Sequence, residues 1–105
     1  MQLLVAPAFT KRVGRLLDRD TYRLLQLRLA ANPESGRMIP GTGGLRKLRW
    51  KAPGRGKRGG VRVIYYWSPG GDTILLLMLF AKNERTRLTN QQKAALRAIV
   101  DAEYR

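Results

Sequence analysis

The chain contains no cysteine and no histidine. Without cysteine there is no disulfide framework and no thiolate nucleophile. Without histidine the commonest general base and the commonest metal ligand are both missing. Carboxylates are scarce as well: 7 Asp and Glu are scattered over 105 residues, too thinly for an oxygen cage around a cation. Any catalysis is therefore expected to proceed without imidazole, metal or cofactor. Long hydrophobic runs are also lacking. The longest, Ile74 to Ala81, has eight residues, whereas a membrane-spanning helix needs about 20. The N-terminal stretch Met-Gln-Leu-Leu-Val-Ala-Pro has no positive charge ahead of its apolar residues, and that run is too short for a signal peptide. The expected location is the cytoplasm, with no membrane partner.

What the chain has in excess is positive charge. Lys and Arg number 21, for a net charge of +14. Such an imbalance predicts salt-sensitive binding to a phosphate-rich polymer. The hydrophobic fraction of 44% is that of a folded protein. A chain of this size buries about 65% of its unfolded surface, which supports one core and a single domain over residues 1–105.

Apolar periodicity gives the element order. Residues 2–5 form a short edge strand. Pro7 suits a first helical turn, and Phe9, Val13, Leu16 and Leu17 follow on one helical face, with Lys11, Arg12 and Arg15 on the other. Asp18-Arg19-Asp20 breaks the pattern, and Asp20-Thr21 is the expected cap of a second helix. Tyr22, Leu25 and Leu29, supported by Leu24, form its stripe, and Asn32-Pro33 ends it. Residues 32–44, rich in Gly and Pro, read as a loop. Strands follow at 45–50, 61–67 and 73–81, the last apolar on both faces and hence central, with a hairpin turn at 68–72. Thr89 and Gln92 have capping-box spacing ahead of a final helix with Leu96, Ile99 and Val100 inward. The expected class is α+β: a small antiparallel sheet, mixed at an N-terminal edge strand, flanked by two N-terminal helices and one C-terminal helix.

The charge is concentrated around the first two strands of the hairpin series. Eight basic residues lie from Arg46 to Arg62, and no acidic residue lies between Glu34 and Asp72. Strand alternation places Lys47 and Arg49 on one face and Leu48 and Trp50 on the other. Arg62 on the next strand and Lys82 at the end of the third are expected to join them. Like charges so close repel unless an anion sits between them. Residues 54–60 (GRGKRGG) fail the phosphate-loop pattern, because Arg58 stands where Ser or Thr is needed and a strand follows. They read instead as a cationic arm for backbone phosphates. Trp50 and the run Tyr65-Tyr66-Trp67 flank the charge and can stack on bases or fill the core.

A cationic cluster of this kind suits RNA cleavage by the substrate's own 2′-hydroxyl. Arginine holds the pentavalent phosphate with a planar fork that stays charged. A lysine crowded by cations and partly desolvated titrates lower and can take the proton. The expected roles are Lys47 or Lys82 as base, with Arg49 and Arg62 on the phosphate. Arg46, Lys51, Arg55, Lys57, Arg58, Asn83 and Arg85 are expected to contact RNA or ribosome.

Residues 41–49 (GTGGLRKLR), 56–66 (GKRGGVRVIYY) and 80–84 (FAKNE) together resemble the RelE/ParE superfamily of type II toxins, nearest its HigB-like branch. The resemblance implies a RelE-like α+β domain that enters the ribosomal A site and cleaves mRNA as an endoribonuclease. The family's paired basic residues fall on Lys47 and Arg49, its strand arginine on Arg62, and its basic residue after the last strand on Lys82. RelE-type enzymes carry an arginine where this chain has Asn83, and a tyrosine near the place of Thr89. The resemblance further implies an antitoxin partner with a helix-turn-helix domain, through which operator DNA would be bound and the operon repressed. A ParE-like gyrase inhibitor and a non-catalytic RNA- or ribosome-binding module are the alternatives on the same scaffold.

Overall fold

The computed structural model describes residues 1–51, 60–81 and 87–104. Strand β1 (Gln2–Val5) leads into helices α1 (Pro7–Leu16) and α2 (Arg19–Ala31). Strands β2 (Arg37–Met38), β3 (Leu45–Trp50), β4 (Val61–Trp67) and β5 (Thr73–Ala81) follow, and α3 (Asn90–Tyr104) closes the order. The sheet runs β1-β5-β4-β3-β2, with β1 parallel to β5 and the remaining pairs antiparallel. The mixed sheet, its three helices and the parallel edge strand agree with the sequence reading. Among the described residues no helix is long and apolar enough to cross a membrane.

Each face of the sheet carries its own core. On one side Phe9, Leu25 and Leu29 of α1 and α2 pack on Leu48, Trp50, Val61, Val63, Tyr65, Ile74, Leu76 and Leu79. On the other, Leu96 and Val100 of α3 pack with Leu45, Ile64, Tyr66, Leu75, Leu77 and Phe80. The aromatic residues beside the charge are thus core. Trp50 is only 6% exposed and Tyr65 fully buried, so neither offers a free face to a base.

Three local expectations are corrected. Segment 32–44 is not all loop: it holds a short 3₁₀ turn, Pro33–Ser35, and the two-residue strand β2. The cap of α2 is Asp18 rather than Asp20; its carboxylate accepts from the Thr21 amide at 2.8 Å and from the Thr21 hydroxyl. Leu24 lies on the outer face of α2, exposed, not in its stripe. The capping box of α3 forms as read, with Thr89 N donating to Gln92 Oε1 at 2.9 Å and Gln92 N donating to Thr89 Oγ1 at 3.1 Å.

A bulge breaks the pairing of β4 with β5. Ile64 pairs with Met78 and Tyr65 with Leu76, leaving Leu77 as the extra residue. Leu77 and Met78 consequently both pack on the α3 side, and the alternation of β5 is rephased beyond them.

The Tyr65 side chain helps pin the 3₁₀ turn and the start of β2 to the sheet. The Tyr65 hydroxyl donates to the Pro33 carbonyl at 2.6 Å and accepts from the Gly36 amide at 2.8 Å. Gly36 must be glycine here, since a Cβ would stand 2.8 Å from the Tyr65 ring. Burial pushes the Tyr65 phenol above its ordinary value; the Gly36 bond and Arg46 oppose this more weakly. The folded state therefore holds this proton more tightly than the unfolded chain. Its contribution is fully present below about pH 10, the unfolded value, and is lost as pH rises through the raised folded value. Urea midpoints measured from pH 7 to 11 should be flat to about pH 10 and fall beyond it. Tyr65→Phe should shrink that fall and cost about 1–3 kcal/mol at neutral pH, by orphaning two buried backbone groups. A Tyr65→Phe protein with the wild-type midpoint at pH 7 would contradict this account.

Candidate functional site

Direct register brings the cationic residues together. Arg49 lies opposite Arg62, and Lys47 lies opposite both Ile64 on one side and Arg37 on the other. Opposed residues share a sheet face, so Arg37, Lys47, Arg49 and Arg62 all stand on the α3 side. The next residues across the sheet are Met78, opposite Ile64, and Phe80, opposite Arg62. They give the cations an apolar floor, and the β5 bulge sets its phase. Arg49 is exposed; Lys47 and Arg62 are half-buried. Burial first, and then the charge of Arg49, push the Arg62 guanidinium below its ordinary value. It remains protonated at neutral pH. An anion seated between the two arginines would offset both penalties.

Beside this row a cleft of about 330 Å³ opens, lined by Ile39, Pro40, Lys47, Arg87, Leu88 and Lys93. Its wall at Ile39 is fixed by a small loop network. Thr42 Oγ1 donates to the Ile39 carbonyl at 2.6 Å and accepts from the Leu45 amide at 3.1 Å, while Ile39 N donates to the Leu45 carbonyl at 2.8 Å. The opposite wall comes from Leu88 and the first turn of α3. Arg97 fastens that helix to the loop: Nη1 donates to the Gly43 carbonyl at 2.8 Å, and the guanidinium lies 5.4 Å from the Tyr66 ring centroid. The same arginine pairs with Asp101 at 3.0 Å.

Arg46 does not join the site. Neighbouring strand positions face opposite ways, so Arg46 turns toward the α1–α2 side. There its Nη1 donates to the Gly36 carbonyl at 2.8 Å and its guanidinium lies 5.8 Å from the Trp67 ring centroid. The side chain is spent on holding β2 in place. Lys51 follows β3 and is exposed. Arg55, Lys57, Arg58, Lys82, Asn83 and Arg85 lie outside the described residues. Arg37, Arg87 and Lys93 were missed by sequence reasoning. A signal existed for Lys93, which precedes Leu96 by three and Val100 by seven and so falls on the inward face of α3. For Arg37 and Arg87, each in a short non-periodic stretch, there was none.

No family model matches this sequence. Solved structures do match its course. The chain is similar to the isolated E. coli RelE toxin, with 13% identity and a TM-score of 0.57, over 93% of this chain and 97% of that one. The fold is RelE-like. The match to the intact E. coli RelBE toxin–antitoxin complex has 13% identity and a TM-score of 0.58, over 82% of this chain and 98% of that one. A RelBE toxin–antitoxin complex from Mycobacterium tuberculosis aligns at 14% identity with a TM-score of 0.56, over 77% and 96%. At such identities it is the RelE-like backbone that is shared, and the side chains above must speak for the chemistry.

Proposed function

We propose that this chain is the toxin of a type II toxin–antitoxin system and cleaves mRNA on the ribosome. The observation that carries the reading is the row Lys47, Arg49 and Arg62 on one sheet face, with the two arginines in direct register. The RelE-like fold and the likeness to chains solved with their antitoxins support it. In the proposed reaction the substrate 2′-oxygen attacks the adjacent phosphorus, and the bond from phosphorus to the 5′-oxygen breaks. The 2′-hydroxyl gives up its proton to a base, and the leaving 5′-oxygen takes one up. The products are a 2′,3′-cyclic phosphate and a 5′-hydroxyl. Arg49 and Arg62 hold the phosphate as charge accumulates on its equatorial oxygens. Lys47, at the border of row and cleft, or Lys82 takes the base role. The cognate antitoxin, with a helix-turn-helix domain and through it the operator DNA, belongs to the same proposal.

The test is primer extension on a message that is translated in a purified system. Added protein should give new 5′ ends within codons, and the same RNA without ribosomes should be cut poorly. Cleavage should fall steeply between 50 and 200 mM salt, as phosphate contacts are screened. Equal cutting of free RNA would overturn the ribosomal part. An intact message accompanied by DNA breaks would favour a gyrase poison instead.

A further inference from the structure

Beyond Lys47, the cleft holds features that phosphate cleavage at the arginine pair does not use. Three cations from three separate segments line it: Lys47 from β3, Arg87 from the approach to α3, and Lys93 from the first turn of α3. Among the described residues no carboxylate lines it. Its remaining lining, Ile39, Pro40 and Leu88, is apolar. Lys93 is the informative member. Its position on the inward stripe of α3 is one where a helix packing on a sheet ordinarily places a hydrophobic residue. A lysine there costs side-chain freedom, and its place in the apolar stripe brings it to the lining of the cleft. The volume lies at the lower end of small-ligand pockets, about 300–1,000 Å³, with room for one nucleotide rather than a run of them. An apolar wall beside convergent cations is complementary to a flat base attached to a phosphate, and less so to phosphate alone.

We propose that this cleft binds one nucleotide of the RNA next to the cut. Its base lies against Ile39, Pro40 and Leu88, and its phosphate is held by Arg87 and Lys93, with Lys47 at the border left for the cleavage chemistry. The proposal rests on the reading of the chain as an RNA-cleaving toxin, and it makes Arg87 and Lys93 substrate-binding residues. Lys47 then links the two halves of the site, lining the cleft while standing in the same sheet row as the arginine pair. Because the wall is apolar and offers few polar groups, base discrimination at this position should be shallow. Missing or added apolar contacts separate ligands by about 10–200-fold, far less than a hydrogen-bonded site achieves.

Binding can be read without cleavage. Adenosine 3′-monophosphate, adenosine and inorganic phosphate are titrated into the isotope-labelled free protein at low salt, and amide shifts are followed. The nucleotide should shift Ile39, Lys47, Leu88 and Lys93 and bind more tightly than either of its parts. Lys93→Ala and, separately, Arg87→Ala should each weaken it about tenfold or more, the usual loss for a hydrogen bond to a charged group. Arg87 precedes α3, so its truncation provides a second variant if Lys93→Ala unfolds the helix. Inorganic phosphate binding as tightly as the nucleotide would remove the role of the apolar wall and overturn the proposal. Unchanged affinity in both variants would do the same. The two readings fail separately: a cleft that ignores nucleotide while ribosomal cleavage persists sinks the cleft alone. Nucleotide binding at the cleft in a protein that never cuts translated message sinks the cleavage reading instead.

Discussion

Arg62→Ala should abolish growth arrest while leaving a folded protein. On translating ribosomes it should lower message cleavage about 10²–10³-fold, the loss seen when one preorganised oxyanion donor is removed. The reason lies in the position of the side chain. Arg62 is paired across the hairpin with Arg49 and is driven below its ordinary value by burial and then by that neighbour. A substrate phosphate seated between the two arginines would offset that cost. Arg62→Lys should be intermediate, since it keeps the charge and loses the planar fork. Thermal melting of both variants provides the folding control. Arg62 is half-buried and its backbone remains in the ladder, so stability should move by less than about 1 kcal/mol, as for most surface changes. A folded Arg62→Ala protein that still arrests growth would remove the phosphate role assigned here.

Gly60→Ala should be the most disruptive single-carbon change in the hairpin. Gly60 has φ +61, and a Cβ there would lie 2.1 Å from the Trp50 carbonyl oxygen and 3.2 Å from Lys51 Cα. A left-handed conformation costs a non-glycine residue roughly 1–2 kcal/mol. The clash sets the Cβ against the Trp50 backbone, so it cannot be relieved by a rotamer change. The expected loss is about 3 kcal/mol or more, the upper range for one substitution, measured as a fall in urea midpoint. The effect on activity follows from geometry. Gly60 immediately precedes the Trp50–Val61 pair, and the next pair is Arg49 with Arg62. Moving the first pair misaligns the second, so growth arrest should fall along with stability. Unchanged midpoint and unchanged toxicity in Gly60→Ala would show that the hairpin tolerates a displacement the packing says it cannot.

The architecture was legible because its signals are periodic. The helical spacing in Phe9–Val13 and Tyr22–Leu29, the capping box at Thr89 and Gln92, and the alternation in β3 each state a direction for the side chains. Alternation was enough to place Lys47 with Arg49, and the same rule already put Arg46 on the far side. Its inclusion among RNA contacts followed charge alone. Other features had no periodic signature. Strand β2 is two residues long and shows no alternation. The bulge falls in a strand apolar on both faces, where a change of phase leaves no mark. Asp18 and Asp20 are equivalent by residue preference, and only the helix start at Arg19 decides between them. The cleft escaped because it is assembled from β2–β3, β3 and α3, which meet only through the fold. Lys93 could have been found, had its stripe been searched for misplaced charge as well as for leucine.

Strand β3 alternates task by task as it alternates by face. Lys47 and Arg49 look toward the α3 side, while Leu48 and Trp50 anchor the opposite core. The proposed phosphate chemistry and the packing that holds the strand thus reside on different sides of one ribbon, a single peptide unit apart. Under the proposed function, a variant altered only on the charged side should keep the parent's outline and be made in bulk by cells that the parent would halt.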